Sequence, residues 1–142
     1  MSDLTIIVGV PGSGKTLFTM SKIRQEFNDP IMIEGHEVQR SVYYHNIPEV
    51  KVDEWQYLKD PTKWHSLQTG AAVIIDEAHE IFPKMDHKRE EPEHIKAAAT
   101  LRHRGHSLVL ITQHPTDLHI FLRRRCTRLI YLKRPLTNGN FA

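Results

Sequence analysis

Residues Gly9-Val10-Pro11-Gly12-Ser13-Gly14-Lys15-Thr16 constrain this chain more than any other stretch. They form the G-x-x-x-x-G-K-T pattern of a phosphate-binding loop, which needs a strand before it and a helix after it. Glycines let successive backbone N–H groups turn inward around a phosphate chain. The lysine of the pattern sets its charge on the β and γ phosphates, and the next hydroxyl is a ligand for Mg²⁺. The helix opened by the loop adds its amino-terminal dipole. The flanks suit this arrangement. Leu4-Thr5-Ile6-Ile7-Val8 is an apolar, β-branched run fit for a buried strand. Leu17, Met20, Ile23, the stem of Arg24 and Phe27 recur on one face of a helix predicted over 17–27. Gly9, Pro11, Gly12, Ser13, Gly14, Lys15, Thr16 and Leu17 are therefore the candidate nucleotide-binding residues. Lys15 is also a candidate catalytic group and Thr16 a candidate metal ligand.

A second constellation supplies carboxylates. Ala71-Ala72-Val73-Ile74-Ile75 reads as a buried strand running into Asp76-Glu77, the Walker B arrangement. A strand end can hold Asp76 where it binds Mg²⁺ through the metal's water shell. Glu77 would orient and deprotonate the water that attacks the γ-phosphate. The tetrapeptide Asp76-Glu77-Ala78-His79 also spells a helicase signature, but 142 residues do not accommodate the second motor domain such helicases need. Leu108-Val109-Leu110-Ile111-Thr112 is a further buried strand ending on Gln113. Gln113 reaches the γ-phosphate if an extra strand separates the P-loop strand from the Walker B strand. Arg102 and Arg104 precede that strand. An arginine delivered to a neighbour's γ-phosphate stabilises transition-state charge and requires an oligomer. Arg123, Arg124 and Arg125 are the next candidates for that role, and plain surface charge is the competing account.

Composition bounds the rest. The chain has 142 residues, 39% hydrophobic and 25% charged, which suits one globular domain able to bury about two-thirds of its unfolded surface. No apolar run is long enough for a membrane span, and the first residues form no signal peptide. A single cysteine, Cys126, excludes an internal disulfide and fits a reducing compartment. The ten histidines lack the cysteine partners and helical spacing of a zinc site. The net charge is only +2, but no acidic residue follows Asp117, whereas Arg123, Arg124, Arg125, Arg128, Lys133 and Arg134 do. Such a basic end suits nucleic acid or an anionic membrane surface.

Short strands are predicted at 30–33 and 42–46, with a turn at Gly35 between them. Residues 48–70 read as a loop-rich, partly helical connection above the sheet. Residues 84–93 read as an exposed loop. Helices are predicted over 93–101 and 117–125, and a last strand over 128–132. Strands alternating with helices indicate an α/β fold of the P-loop NTPase type. It would have a parallel sheet of about five strands covered on both faces. Ligand then sits at the carboxyl ends of the strands.

With these motifs in place, the chain resembles the N-terminal domain of the zonular occludens toxin (Zot) family, which includes the gene I assembly proteins of filamentous phages. The likeness rests on Gly9–Thr16 at the amino terminus and on Ile74-Ile75-Asp76-Glu77-Ala78-His79-Glu80-Ile81-Phe82-Pro83. Its third element is Leu101-Arg102-His103-Arg104-Gly105-His106-Ser107 running into the 108–114 strand. The resemblance implies a cytoplasmic ATPase domain similar to the FtsK/HerA motors. It would bind ATP and Mg²⁺ and lie at the inner face of the bacterial inner membrane. There it would drive assembly and export of filamentous phage. It also implies that residues 1–142 are the N-terminal cytoplasmic part of a longer membrane protein. The partners implied are further copies of the chain, phage assembly proteins, the inner membrane and phage single-stranded DNA. The toxin activity behind the family name is attributed to a later region and is not carried over. The alternatives are a nucleotide-gated binding module with little turnover, or a DNA-translocating ATPase unrelated to phage export. No N/T-K-x-D guanine-reading motif is present, which favours ATP over GTP.

Overall fold

In the computed structural model, residues 3–10, 14, 18–47, 50, 52, 54–86 and 90–133 are described. In chain order they form β1 (Leu4–Gly9), a π turn (Thr19–Ile23) running into α1 (Arg24–Phe27), β2 (Ile31–Ile33), β3 (His36–Val38) and β4 (Val42–His45). There follow β5 (Gln56–Tyr57), a 3-10 turn (Pro61–Ser66), β6 (Ala72–Ile75) and a short 3-10 turn (Ala78–Glu80). Next come α2 (Glu93–Lys96), continued as a 3-10 helix (Ala97–Arg104), then β7 (Ser107–Thr112). A last 3-10 turn (Pro115–Asp117), α3 (Ile120–Arg125) and β8 (Arg128–Leu132) complete the order.

Six strands make one sheet in the order β5-β4-β6-β7-β1-β8, and every pairing in it is parallel. The expected extra strand is β7, which lies between β1 and β6. The three central strands β1, β6 and β7 are buried along their whole length. Their alternating side chains feed two cores, one on each face, which is why their sequences are unbroken apolar runs. On one face Leu4, Ile6, Val73, Ile75, Leu108 and Leu110 pack with Trp64, Phe82, Ile95, Leu101 and Leu122. On the other, Ile7, Ala72, Ile74, Val109 and Ile111 pack with Ile23 and Phe27. Edge strand β8 instead alternates, with Ile130 and Leu132 packed inward and Leu129 and Tyr131 exposed.

Several elements differ from the sequence expectation, each for a local reason. The first helix buries Thr19, Ile23 and Phe27 but leaves Arg24 exposed, because a π turn replaces the regular helical period at its start. Gly35 does turn the chain, but into β3 rather than toward 42–46: Glu34 and Gly35 both have positive φ and close an antiparallel β2–β3 hairpin outside the main sheet. The connection over 48–70 contributes β5 to the edge of the sheet by pairing Tyr43 with Gln56. Within the same connection Trp64 is a core residue, 1% exposed, and its indole N–H donates to the His94 carbonyl. The helix over 93–101 tightens to 3-10 geometry from Ala97 onward, and the helix expected from Asp117 begins at Ile120.

Gly105 closes the 3-10 helix ahead of β7 with φ +64, and a methyl group there would run into the side chain of Ile33 on the hairpin. Gly105→Ala is therefore expected to cost about 2–4 kcal/mol, from the left-handed backbone plus overpacking. Urea denaturation checks this; a loss below about 0.5 kcal/mol would contradict the packing of the hairpin against this turn.

Candidate functional site

The carboxyl ends of β1, β7 and β6 lie side by side because the parallel register pairs Val8 with Thr112 and Leu110 with Ile75. Four candidate residues follow from that. Gly9 is the last residue of β1, Gln113 follows β7, and Asp76 and Glu77 follow β6. Gly14 has φ +86, a left-handed conformation suited to glycine, with open space where a Cβ would stand. Its carbonyl accepts from Phe18 N–H at 2.8 Å. Pro11, Gly12, Ser13, Lys15, Thr16 and Leu17 lie outside the described residues.

Asp76 and Glu77 are held by backbone geometry. Asp76 N–H donates to the His45 carbonyl at 3.2 Å, continuing the β4–β6 ladder one step past the strand. Asn46 donates its side-chain amide to the Asp76 carbonyl at 3.3 Å. Glu77 N–H donates to the Asp76 carboxylate at 2.7 Å. Glu77 itself sits at φ 52, ψ 46, a left-handed conformation that costs a side-chain-bearing residue roughly 1 kcal/mol. His79 Nε2 lies 3.6 Å from Glu77 Oε2. Glu77, His79 and Glu80 bring one ligand atom each within 4.8 Å of one another. Sequence reasoning missed Asn46, although an asparagine directly after a strand is the available signal: it too adopts positive φ, at 63°.

The segment after Glu77 is tied to the segment after Gln113. His119 N–H donates to the Phe82 carbonyl at 2.8 Å, Lys84 N–H donates to the Asp117 carbonyl at 3.2 Å, and Pro83 and Leu118 form an antiparallel bridge. His119, 3% exposed, accepts the Phe121 N–H through Nδ1 at 3.0 Å and so caps α3. That bond places its proton on Nε2, which faces Glu91 at 3.8 Å. Arg102 and Arg104 are not brought to this site. They stand before β7, whose six residues span roughly 20 Å, so they lie at the opposite end of the strands from Asp76 and Glu77.

The donor set fits a magnesium nucleotide. Asp76 offers the hard carboxylate oxygen that Mg²⁺ prefers, at the end of a strand beside the P-loop strand's neighbour. The positive φ of Gly14 suits a loop whose amides turn toward phosphate.

Comparison with known proteins now decides the family. The family model described as Zonular occludens toxin (Zot) matches residues 3–139. The chain belongs to the Zot family. It is 33% identical over 135 residues to ORF301 of Pseudomonas phage Pf3, which carries the name assembly protein. That match takes in 92% of this chain but 42% of the relative, so the chain spans less than half of the curated protein it resembles. Among solved structures, the N-terminal domain of zonular occludens toxin from Neisseria meningitidis is similar with a TM-score of 0.76 and 25% identity. That similarity covers 99% of this chain and 80% of that one. The genome packaging NTPase B204 of Sulfolobus turreted icosahedral virus 2, solved with ATP-gammaS, shares the fold at TM-score 0.66 and 18% identity, over 96% of this chain and 77% of that one. The Zot member's fold is therefore that of P-loop NTPases, as the sequence indicated. No helix among the described residues is long and apolar enough to cross a membrane.

Burial lowers the pKa of His65, His106 and His119 below the usual imidazole value. A proton therefore binds the unfolded chain more readily than the folded one. Stability is full above the unfolded value near 6.5 and declines as the pH falls from there toward the lower folded values. The melting temperature is expected to drop between about pH 6.5 and pH 5, with a shallower drop in His119→Gln. An identical pH profile for the variant would contradict the neutral cap.

Proposed function

We propose that this Zot-family chain is an ATP-binding and hydrolysing motor domain for assembly and export of filamentous phage through the bacterial inner membrane. One observation carries the hydrolytic part: β7 separates β1 from β6, so Gly9, Gln113 and the Asp76-Glu77 pair share one rim of the sheet. A water held there would be within the domain of a carboxylate and a polar amide as well as the phosphate loop. Likeness to a phage protein named for assembly, and to NTPases solved with ATP analogues, supports the rest. Residues 1–142 are proposed as the cytoplasmic N-terminal part of a longer protein held at the inner membrane.

In this mechanism Lys15 and the amides of the glycine loop hold the phosphates. Thr16 and Asp76 would hold Mg²⁺, which when bound would neutralise phosphate charge. Glu77 accepts the proton of the attacking water, and the Asp76 carboxylate fixes the Glu77 backbone that carries this base. Gln113 orients the water or senses the γ-phosphate. Arg104 serves the nucleotide of a neighbouring copy, since the length of β7 separates it from its own. That separation also favours low turnover by an isolated chain, with the domain acting as a nucleotide-gated module until it assembles.

Lys15→Ala is expected to abolish nucleotide binding. Glu77→Gln should keep binding while lowering turnover by about 10²-fold or more. Calorimetric titration and phosphate release measure the two effects, and normal turnover in Glu77→Gln would remove the role given to that carboxylate. Hydrolysis should also rise faster than linearly with protein concentration.

A further inference from the structure

At the amino ends of the strands, on the rim opposite Asp76 and Glu77, an open cleft of about 530 Å³ lies between two helix ends. One wall is the 3-10 helix, with Ala98, Leu101, Arg102 and His103; the other is the end of α3, with Arg124 and Arg125. Its floor is made by Asp3, Cys126 and Thr127, which stand at the starts of β1 and β8. Three arginines and a histidine thus line one recess together with a single aspartate. The charge of Asp3 also acts on Arg40 and Arg128, which do not line the recess. Arg128 further makes a two-pronged pair with Glu26, at 2.8 Å for each bond. The cleft arginines gain no comparable neutralisation. Among the described residues Arg125 is bound to its own helix alone, its side chain donating to the Phe121 carbonyl at 3.5 Å and lying over that ring at 5.5 Å. Arg102 and Arg124 are exposed, and their side chains make no hydrogen bond or ion pair among the described residues.

Like charges gathered in a recess repel one another and are relieved by an anion that can enter it. We propose that this cleft binds the phosphodiester backbone of a nucleic-acid strand, at a site separate from the nucleotide loop. Arg102 and Arg124 supply the two free forks, Arg125 flanks them, and Thr127 offers a hydroxyl at the base of the recess. A recess with cations on facing walls suits a chain of phosphates better than a flat layer of headgroups. Its contacts reach charge and not base edges, so binding would be indifferent to sequence. Arginines from elements that frame β7 and β8 would let a strand bound here sense movement of the same sheet that carries the nucleotide rim.

The test is fluorescence anisotropy of a labelled oligothymidylate with the intact chain, across a range of salt concentrations. With about three phosphates neutralised, log affinity should fall against log salt with a slope near −2. Arg102→Gln with Arg124→Gln should weaken binding about tenfold or more and reduce the slope by about one to two, while Lys63→Gln on another surface should change neither. ATP titration of the same proteins separates this from the nucleotide site: ATP affinity should be unchanged in the double variant. Oligonucleotide affinity equal in the double variant and the wild type, or no binding at low salt, would overturn the proposal. It is equally overturned if the double variant binds oligonucleotide normally but loses adhesion to vesicles rich in phosphatidylglycerol. Normal oligonucleotide binding with lost stimulation of a neighbour's hydrolysis would also overturn it, since the cleft would then serve that neighbour's nucleotide.

Discussion

The parallel pairing of β6, β7 and β1 is the constraint on which the rest of the structure depends. Its register sets three strand ends level: β1 ends on Gly9, while β7 and β6 lead into the polar side chains of Gln113 and Asp76. The central strands are buried on both faces, so slippage by one residue would exchange the two core layers. Register is therefore strongly specified by burial, and the position of Gly9, Gln113 and Asp76 follows from packing at a distance from them. The same pairing sends Arg102 and Arg104 to the far rim. One sheet thus has an acidic end, where β1 finishes on Gly9, and a basic end, with its β-strands as the separation between them.

Local devices convert that frame into a site. The β4–β6 ladder extends to Asp76, Asn46 adds a side-chain bond to the same residue, and the Asp76 carboxylate holds the backbone of Glu77 in a left-handed turn. A residue other than glycine persists in that conformation only where its surroundings over-determine it. The antiparallel contact between 82–84 and 117–119 then joins the segment leaving Glu77 to the one leaving Gln113. Because His119 also caps α3, the arginine-bearing helix is linked through backbone bonds to the acidic rim.

Much of this was legible in the sequence, for reasons that differ by element. The strands at 4–8, 71–75 and 108–112 could be recognised because burial on both faces leaves unbroken apolar runs. The place of Asp76-Glu77 at the end of a buried strand was legible because the pair directly follows such a run. The extra strand was posed as a condition on Gln113 and is met by β7. What escaped depends on tertiary context. Gln56 and Tyr57 form a strand only because β4 offers them an edge, and nothing in two residues announces it. The β2–β3 hairpin is hidden because the three residues of β3, His36-Glu37-Val38, carry no apolar run to mark them as the strand that the turn at Gly35 serves. Arg24 was placed on the buried face by a regular helical period that the π turn breaks. The opposing rims could not be foreseen from spacing, since Arg104 is only three residues from β7 in sequence while the site lies at that strand's other end.

The proposed function turns on Asp76, which stands at the end of β6 on the same rim as Gly9, holding the metal of a bound nucleotide. Calorimetric titration of ATP in Mg²⁺ and in excess chelator, on the wild type and on Asp76→Asn, tests it most directly. The account predicts that Mg²⁺ tightens ATP binding to the wild type and that this gain is lost in Asp76→Asn, with binding in chelator little changed. An equal gain from Mg²⁺ in both proteins would contradict it.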